Sequence, residues 1–214
     1  MKVGILGSGD VGRVLGTAFA KLGHEVKIGT RDPKKKEVKD WVAKTGQGAS
    51  TGTFAEAAAF GDVAVLATLW TGTENAIKLA GPKNLAGKIV IDVTNPLIFH
   101  ENAPPTLALG HTDSAGEQVQ RWLPNSRVVK AFNMVGNAHM FKPTFHGGPP
   151  DMFIAGNDAK AKEVVTKILE DFGWPAMDIG GIEGARLLEP LCILWVIYGT
   201  KTGSWNHAFK MLRK

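Results

Sequence analysis

The chain is poor in the residues that usually carry covalent or proton-transfer chemistry. It has one cysteine and one tyrosine in 214 residues. A lone Cys192 cannot form an intrachain disulfide, which excludes a disulfide scaffold and suits a reducing compartment. Its neighbours Leu191 and Ile193 mark it as a buried, inert thiol rather than a nucleophile. Tyr198 lies in an apolar run without a Tyr-x-x-x-Lys pattern, so the proton donor that a ketone reductase needs is missing there. Long hydrophobic runs are missing too. The longest candidate, Leu187–Tyr198, is broken by Glu189 and Pro190 and falls short of the roughly 20 apolar residues of a membrane span. At the start, Val3-Gly4-Ile5-Leu6 gives way to glycine too soon for the apolar core of a signal peptide. The expectation is a soluble, cytoplasmic protein with no membrane partner.

No charge of one sign dominates: 25 Lys and Arg stand against 20 Asp and Glu, a net +5. Lys34, Lys35 and Lys36 cluster in one short loop, without zinc-finger spacing or an aromatic RNA-binding signature, so nucleic acid is not an expected partner. A local anion site accounts for that loop better. His24, His100, His111, His146 and His207 show no ligand spacing, and no metal is expected.

What is present is a globular composition, 44% hydrophobic, with 26 glycines and no glycine period. Lys2–Leu6, Glu25–Gly29, Val63–Thr68, Lys88–Val93, Arg127–Phe132 and Met152–Ala155 read as strands. Several are continuous aliphatic runs, as parallel strands covered on both faces are. Thr53-x-x-Glu56, Thr71-x-x-Glu74 and Ser114-x-x-Glu117 match the capping box that starts a helix. This alternation predicts an α/β fold with a doubly wound parallel sheet. Past residue 140 the texture changes, and His146-Gly147-Gly148-Pro149-Pro150 is a turn-rich break. Residues 1–145 are therefore expected to form one domain and 146–214 a small C-terminal α/β extension. In that extension Asn157 or Asp158 caps a helix carrying Val164, Val165, Ile168, Leu169 and Phe172. A short strand near Met177–Ile179, an apolar helix around Leu187–Tyr198 and an amphipathic segment near Trp205–Leu212 follow.

Gly7-Ser8-Gly9-Asp10-Val11-Gly12 is a G-x-G-x-x-G placed directly after the first strand and at the opening of a helix. In that context Gly7 makes the tight turn, Gly9 lets a pyrophosphate approach the backbone, and Gly12 lets helix and strand pack closely. The helix N-terminus then holds phosphate. At the end of the second strand, where an acidic residue would bond a free ribose 2′-hydroxyl, the chain has Thr30 and Arg31 followed by the lysine loop. A hydroxyl, a guanidinium and ammonium groups suit a 2′-phosphate, so NADP(H) is favoured over NAD(H). Asp32 is discordant, and Pro33 is expected to turn it away.

The run from Met1 through the glycine turn to Thr30-Arg31 resembles the NADPH-dependent coenzyme F420 reductase family. The segments 62–70, Asp92-Val93-Thr94-Asn95-Pro96-Leu97, Val128-Val129-Lys130-Ala131-Phe132-Asn133 and 185–191 extend the likeness over nearly the whole chain. The same module resembles the cytosolic domain of membrane ferric reductases, so the likeness does not by itself fix the acceptor. The resemblance implies a Rossmann-type domain and hydride transfer between NADP(H) and a deazaflavin or flavin lying across the nicotinamide. It implies that Gly7, Ser8, Gly9, Asp10 and Val11 meet the pyrophosphate and that Thr30, Arg31 and Lys35 hold the 2′-phosphate. Thr68, Leu69 and Trp70 would border the cleft, and Asn133, Met134, Val135 and Gly136 would form the floor near the nicotinamide. Archaeal members that use the deazaflavin tend to carry His and Pro where this chain has Asn133 and Gly136, and Pro where it has Leu69.

Hydride transfer to such a ring needs alignment of two carbons more than a side-chain acid. His139, just past the floor segment, is the one spare proton donor, or else an ordinary loop histidine. Trp70 could stack on a flavin ring or cover the core at a strand end. Leu187–Tyr198 reads as a core or homodimer helix, the alternative being that Leu191 and Trp195 wall an apolar acceptor pocket. Three functions stay open: an NADP(H):F420 or flavin oxidoreductase, an imine or carbonyl reductase on the same fold, and a non-catalytic NADPH sensor.

Overall fold

Aliphatic strands buried on both faces need helices on both sides, and the chain supplies them in strict alternation. The computed structural model describes residues 1–214. In order they form β1 (Lys2–Leu6), α1 (Asp10–Lys21), β2 (Glu25–Gly29), α2 (Lys36–Thr45), β3 (Ala49–Gly52), α3 (Phe54–Phe60), β4 (Val63–Leu66), α4 (Trp70–Ala80), α5 (Pro82–Leu85) and β5 (Ile89–Asp92). There follow β6 (Leu97–Ile98), β7 (Thr106–Leu107), α6 (Ala115–Trp122), β8 (Arg127–Lys130), β9 (Met152–Gly156), α7 (Ala159–Asp171), β10 (Ala176–Asp178) and α8 (Ala185–Thr202).

Eight strands make one sheet in the order β10-β9-β8-β5-β4-β1-β2-β3. All neighbours run parallel except β8 and β9, which are antiparallel. The reason lies in the connection. Residues 131–151 carry no α-helix to return the chain to the starting edge, so it re-enters the sheet from the end at which it left. The sheet thus runs without a break across residue 146, and β9 and β10 extend it. The small pair β6–β7 stands apart from it.

Alternate residues of each strand feed two cores. Ile5, Ile28, Val65, Ile91 and Val129 pack with Phe19 of α1, Trp41 of α2 and Val165 of α7. Leu6, Leu66, Val90 and Val128 pack with Ala57 of α3, Ile77 of α4 and Val119 of α6. Each such aliphatic side chain contributes about 1.5–3 kcal/mol when fully buried.

Two of the three expected helix starts hold. Thr53 makes a full capping box with Glu56, and the Ser114 hydroxyl accepts from Glu117 N. The Thr71 box does not form. Helix α4 already starts at Trp70, and Glu74 pairs with Lys78 one turn on at 2.6 Å. Asp158 rather than Asn157 caps α7. Residues 205–212, expected as an amphipathic segment, carry no regular structure; hydrogen bonds such as Met211 N to Asp151 Oδ2 hold them down. No helix is long and apolar enough to cross a membrane.

Candidate active site

The strand order reverses direction between β1 and β4, and a doubly wound sheet opens a crevice at the carboxyl ends of the strands there. A cleft of about 1140 Å³ lies at that point. Its near wall is the turn after β1. Gly7 has φ +133°, and a Cβ on it would stand 2.1 Å from Ala67 O; a Cβ on Gly12 would stand 2.1 Å from Gly7 O. Both positions are closed to any side chain by backbone. Gly9 differs, since a Cβ there would meet nothing within 4 Å and would point into open space. The N-terminus of α1 follows directly, with its unpaired N–H groups and positive dipole end. Arg13, one turn in, donates to Ser8 O at 2.8 Å and pairs with Asp10, which fixes the turn from behind.

The far end of the nucleotide side is basic. Thr30 is buried, and its hydroxyl accepts from Ser8 Oγ at 3.2 Å. Arg31 is exposed and has no ion-pair partner, while Lys35 lies 3.7 Å from Glu37. Lys36 is taken up by Asp40 and starts α2. Asp32 Oδ1 accepts from Lys34 N at 2.9 Å, so this carboxylate closes its own loop.

Of the residues expected at the site, Gly7, Ser8, Gly9, Asp10, Val11, Thr30, Arg31, Lys35, Thr68 and Leu69 line this one cleft. Gly12 sits beneath it as packing. The Thr68 hydroxyl donates to Thr73, whose own hydroxyl donates to Leu69 O, so the wall after β4 is held by a short relay. Leu69 itself is 78% exposed. Trp70 is turned away and stacks on Trp122, centroids 5.5 Å apart. Asn133, Met134 and Val135 are buried behind the cleft, and Asn137 is the residue of that segment that reaches the lining. His139 does not line it; Nε2 meets Asn206 Oδ1 at 3.0 Å. Burial raises the Cys192 thiol pKa to about 12, with the Glu189 carboxylate adding to it against Lys130.

The sequence reading missed what lies behind the cleft wall. Asp92 ends β5 and Lys130 ends β8, and the two are partners in register. Both are fully buried, with Lys130 Nζ 3.0 Å from Asp92 and 2.9 Å from Glu189 of α8. Burial works against the ammonium, but the two carboxylates outweigh it and hold its pKa above the ordinary lysine value. Two residues on, Phe132 is a buried non-glycine residue at φ +61°, a left-handed conformation that costs on the order of 1 kcal/mol or more. It turns the chain so that Asn133 Nδ2 donates to Asn95 Oδ1 and Leu188 O, while Asn133 Oδ1 is buried with no partner. The readable signal was a charge closing an aliphatic run in each of two strands, Ile89–Ile91 before Asp92 and Val128-Val129 before Lys130. Asn137 and Thr73 left no sequence signal of their own.

Residues 2–96 match the family described as "NADP oxidoreductase coenzyme F420-dependent". The chain is 31% identical over 191 residues to Metalloreductase STEAP3 of Rattus norvegicus, covering 89% of itself and 36% of that protein. It thus spans about a third of that relative's length. It is 29% identical over 210 residues to the F420-dependent NADP reductase of Methanothermobacter thermautotrophicus, covering 92% of itself and 88% of that protein. Among solved structures, a "putative F420 dependent NADP-reductase" from Arthrobacter sp. FB24 is 40% identical, superposes with a TM-score of 0.94 and covers all of both chains.

Proposed function

The chain belongs to the coenzyme F420-dependent NADP oxidoreductase family, and on that premise we propose that it transfers hydride between NADP(H) and the deazaflavin coenzyme F420. One observation carries the reading: a single cleft joins a bare glycine turn at a helix N-terminus to an edge with an unpaired arginine. The residues fit the nucleotide. Gly9 leaves open the space a pyrophosphate would take, and the N–H groups from Ser8 to Val11 with the α1 dipole would hold it, the Gly7 N–H being already given to Gly29 O. Thr30, Arg31 and Lys35 supply a hydroxyl and two cations of the kind a 2′-phosphate needs. Thr68 and Leu69 would stand beside the ring, and Asn137, with the segment 133–136 behind it, would close the inner end.

Bound NADPH supplies the hydride, and the chain's own part is to hold two rings at contact distance. The cleft lining contains no His, Tyr or Cys, and its ionisable groups, Asp10, Arg31, Asp32 and Lys35, stand at the glycine turn and the basic edge. This supports a ring acceptor over an imine or carbonyl that must be protonated by a side chain. For that second reading His139 is the candidate proton donor, and it would first have to leave Asn206.

The test is an anaerobic assay of the protein with NADPH and, separately, F420, FMN and FAD, with NADH as control. NADPH-selective bleaching of F420 is the expected result. Bleaching of FMN or FAD alone would make it a flavin reductase, and NADPH binding without any bleaching would leave a sensor or an imine reductase.

The assembly and the compartment belong to the same proposal. Leu187, Leu194 and Tyr198 are 67%, 53% and 53% exposed on one face of α8, an apolar stripe that suits a second copy of the chain in a homodimer. A lone buried cysteine suits a reducing compartment, and we place the protein in the cytoplasm.

A further inference from the structure

We infer that Lys130 is a positioning residue for the proposed hydride transfer, acting with Asp92 and Glu189 as a buried clamp that fixes the inner cleft wall against helix α8. The inference rests on the functional reading above, since it assigns the clamp to that same cleft. The ammonium has three N–H bonds and three acceptors: Asp92 Oδ2, Glu189 Oε1 and Thr94 O. The carboxylates are used equally fully. Asp92 Oδ1 accepts from both the N–H and the hydroxyl of Thr94, at 2.9 and 2.7 Å. Glu189 accepts from Ala115 N and Gly116 N at the start of α6, each at 3.0 Å. No atom of the group reaches solvent to speak of, and none of the three residues lines the cleft.

A buried ion network of this kind adds little stability over an apolar core of the same shape, because desolvation consumes most of the Coulomb gain. What it does supply is directed geometry, and here the directions converge on the site. Asp92 and Thr94 flank Val93, which lines the cleft. Lys130 stands two residues before the left-handed Phe132 and three before Asn133. Glu189 follows Leu188, whose carbonyl accepts from Asn133. One ammonium therefore sets the spacing between the end of β5, the turn after β8 and helix α8, and α8 runs on to Trp195, against which Gly136 packs. Misplacement of a reacting ring by about 1 Å costs up to roughly a hundredfold in rate.

The test uses Lys130→Met and Glu189→Gln in the full chain. Direct NADPH titration, turnover with the acceptor that the wild type uses, thermal melts and amide hydrogen exchange are read together. Lys130→Met strands two carboxylates, and where it fails to fold Glu189→Gln decides, since it keeps the shape and loses the charge. Expected for a folded variant is NADPH affinity within about twofold of wild type and a kcat lower by about 10- to 100-fold. Exchange should quicken in residues 93–97 and 132–138 and stay unchanged in residues 7–12. A purely structural role would lower the melting temperature and leave kcat and local exchange of the folded protein unaltered, and that result overturns the inference. Should the wild type turn over no ring acceptor, the functional reading falls by itself, and the exchange pattern alone still judges the clamp.

Discussion

The two sides of the cleft are built by different means. On the nucleotide side the bonds that shape the site are shorter in sequence: Lys34 to Asp32 spans two residues, Arg13 to Ser8 five and Ser8 to Thr30 22. Much of the work is done by backbone, through glycines that cannot carry a Cβ. On the inner side the deciding bonds span 38 residues from Lys130 to Asp92, 55 from Asn133 to Leu188 and 74 from Ala115 to Glu189. There buried side chains do the work. A phosphate can be met by local backbone, whereas holding two rings face to face requires several distant elements to agree.

The sharpest way to break that contrast is Gly9→Val. The backbone at Gly9 has φ −70° and ψ −176°, which valine adopts, and its added atoms enter open space. The variant should melt like wild type yet bind neither NADPH nor NADH detectably by calorimetry. Gly7→Val, with its Cβ driven into Ala67 O, should instead fail to fold. Wild-type nucleotide affinity in a folded Gly9→Val protein would remove the turn from the site. Arg31→Ala has a smaller, selective effect. Losing one charge-assisted contact to a 2′-phosphate costs about 1.5–3 kcal/mol, or roughly 10- to 100-fold in NADPH affinity. NADH affinity should not change, and equal losses for both nucleotides would refute the assignment of Arg31.

The same contrast decides what the sequence could show. Strands β1 and β2 are readable to the residue because each carries aliphatic residues at alternate positions, Val3 and Ile5 or Val26 and Ile28, and is ended by a glycine, Gly7 or Gly29. Strand β3, Ala49-Ser50-Thr51-Gly52, escapes because an edge strand with small polar residues has no apolar signature. The Thr71 box misleads because α4 already starts at Trp70, with extended Leu69 in the cap position, so Thr71 lies inside the first turn. The glycine turn and the basic edge were legible because each is local. The clamp of Lys130, Asp92 and Glu189 was not, because a lysine in sequence looks the same whether it is solvated or buried. Its partners become visible only once β5, β8 and α8 have met. Trp70 shows the same limit, since only the folded chain reveals that its ring is already occupied by Trp122.

The smallest predicted effect probes how the inner side is fastened from outside. Glu117 of α6 pairs with Arg186 of α8, joining the two helices that Glu189 joins deeper in. The Arg186 hydrogen bond holds the Glu117 carboxyl below its ordinary value of 4.5, prevailing over burial with help from Ser114. Asp113 and Asp178 are also lowered, with Arg121 and Lys162 overcoming burial. A carboxyl with a depressed folded-state pKa binds fewer protons folded than unfolded. Its contribution is whole above the unfolded value and is lost as pH falls through the folded one. Stability should therefore decline on the acid side, and Glu117→Gln should remove part of that slope. Thermal melts of the two proteins should differ at about pH 6 and converge towards about pH 3. A difference that stays constant over that range would show that the Glu117 charge does not fasten α6 to α8. The fastening of α6 to α8 would then rest on the bonds of Glu189 to Ala115 N and Gly116 N rather than on the outer pair.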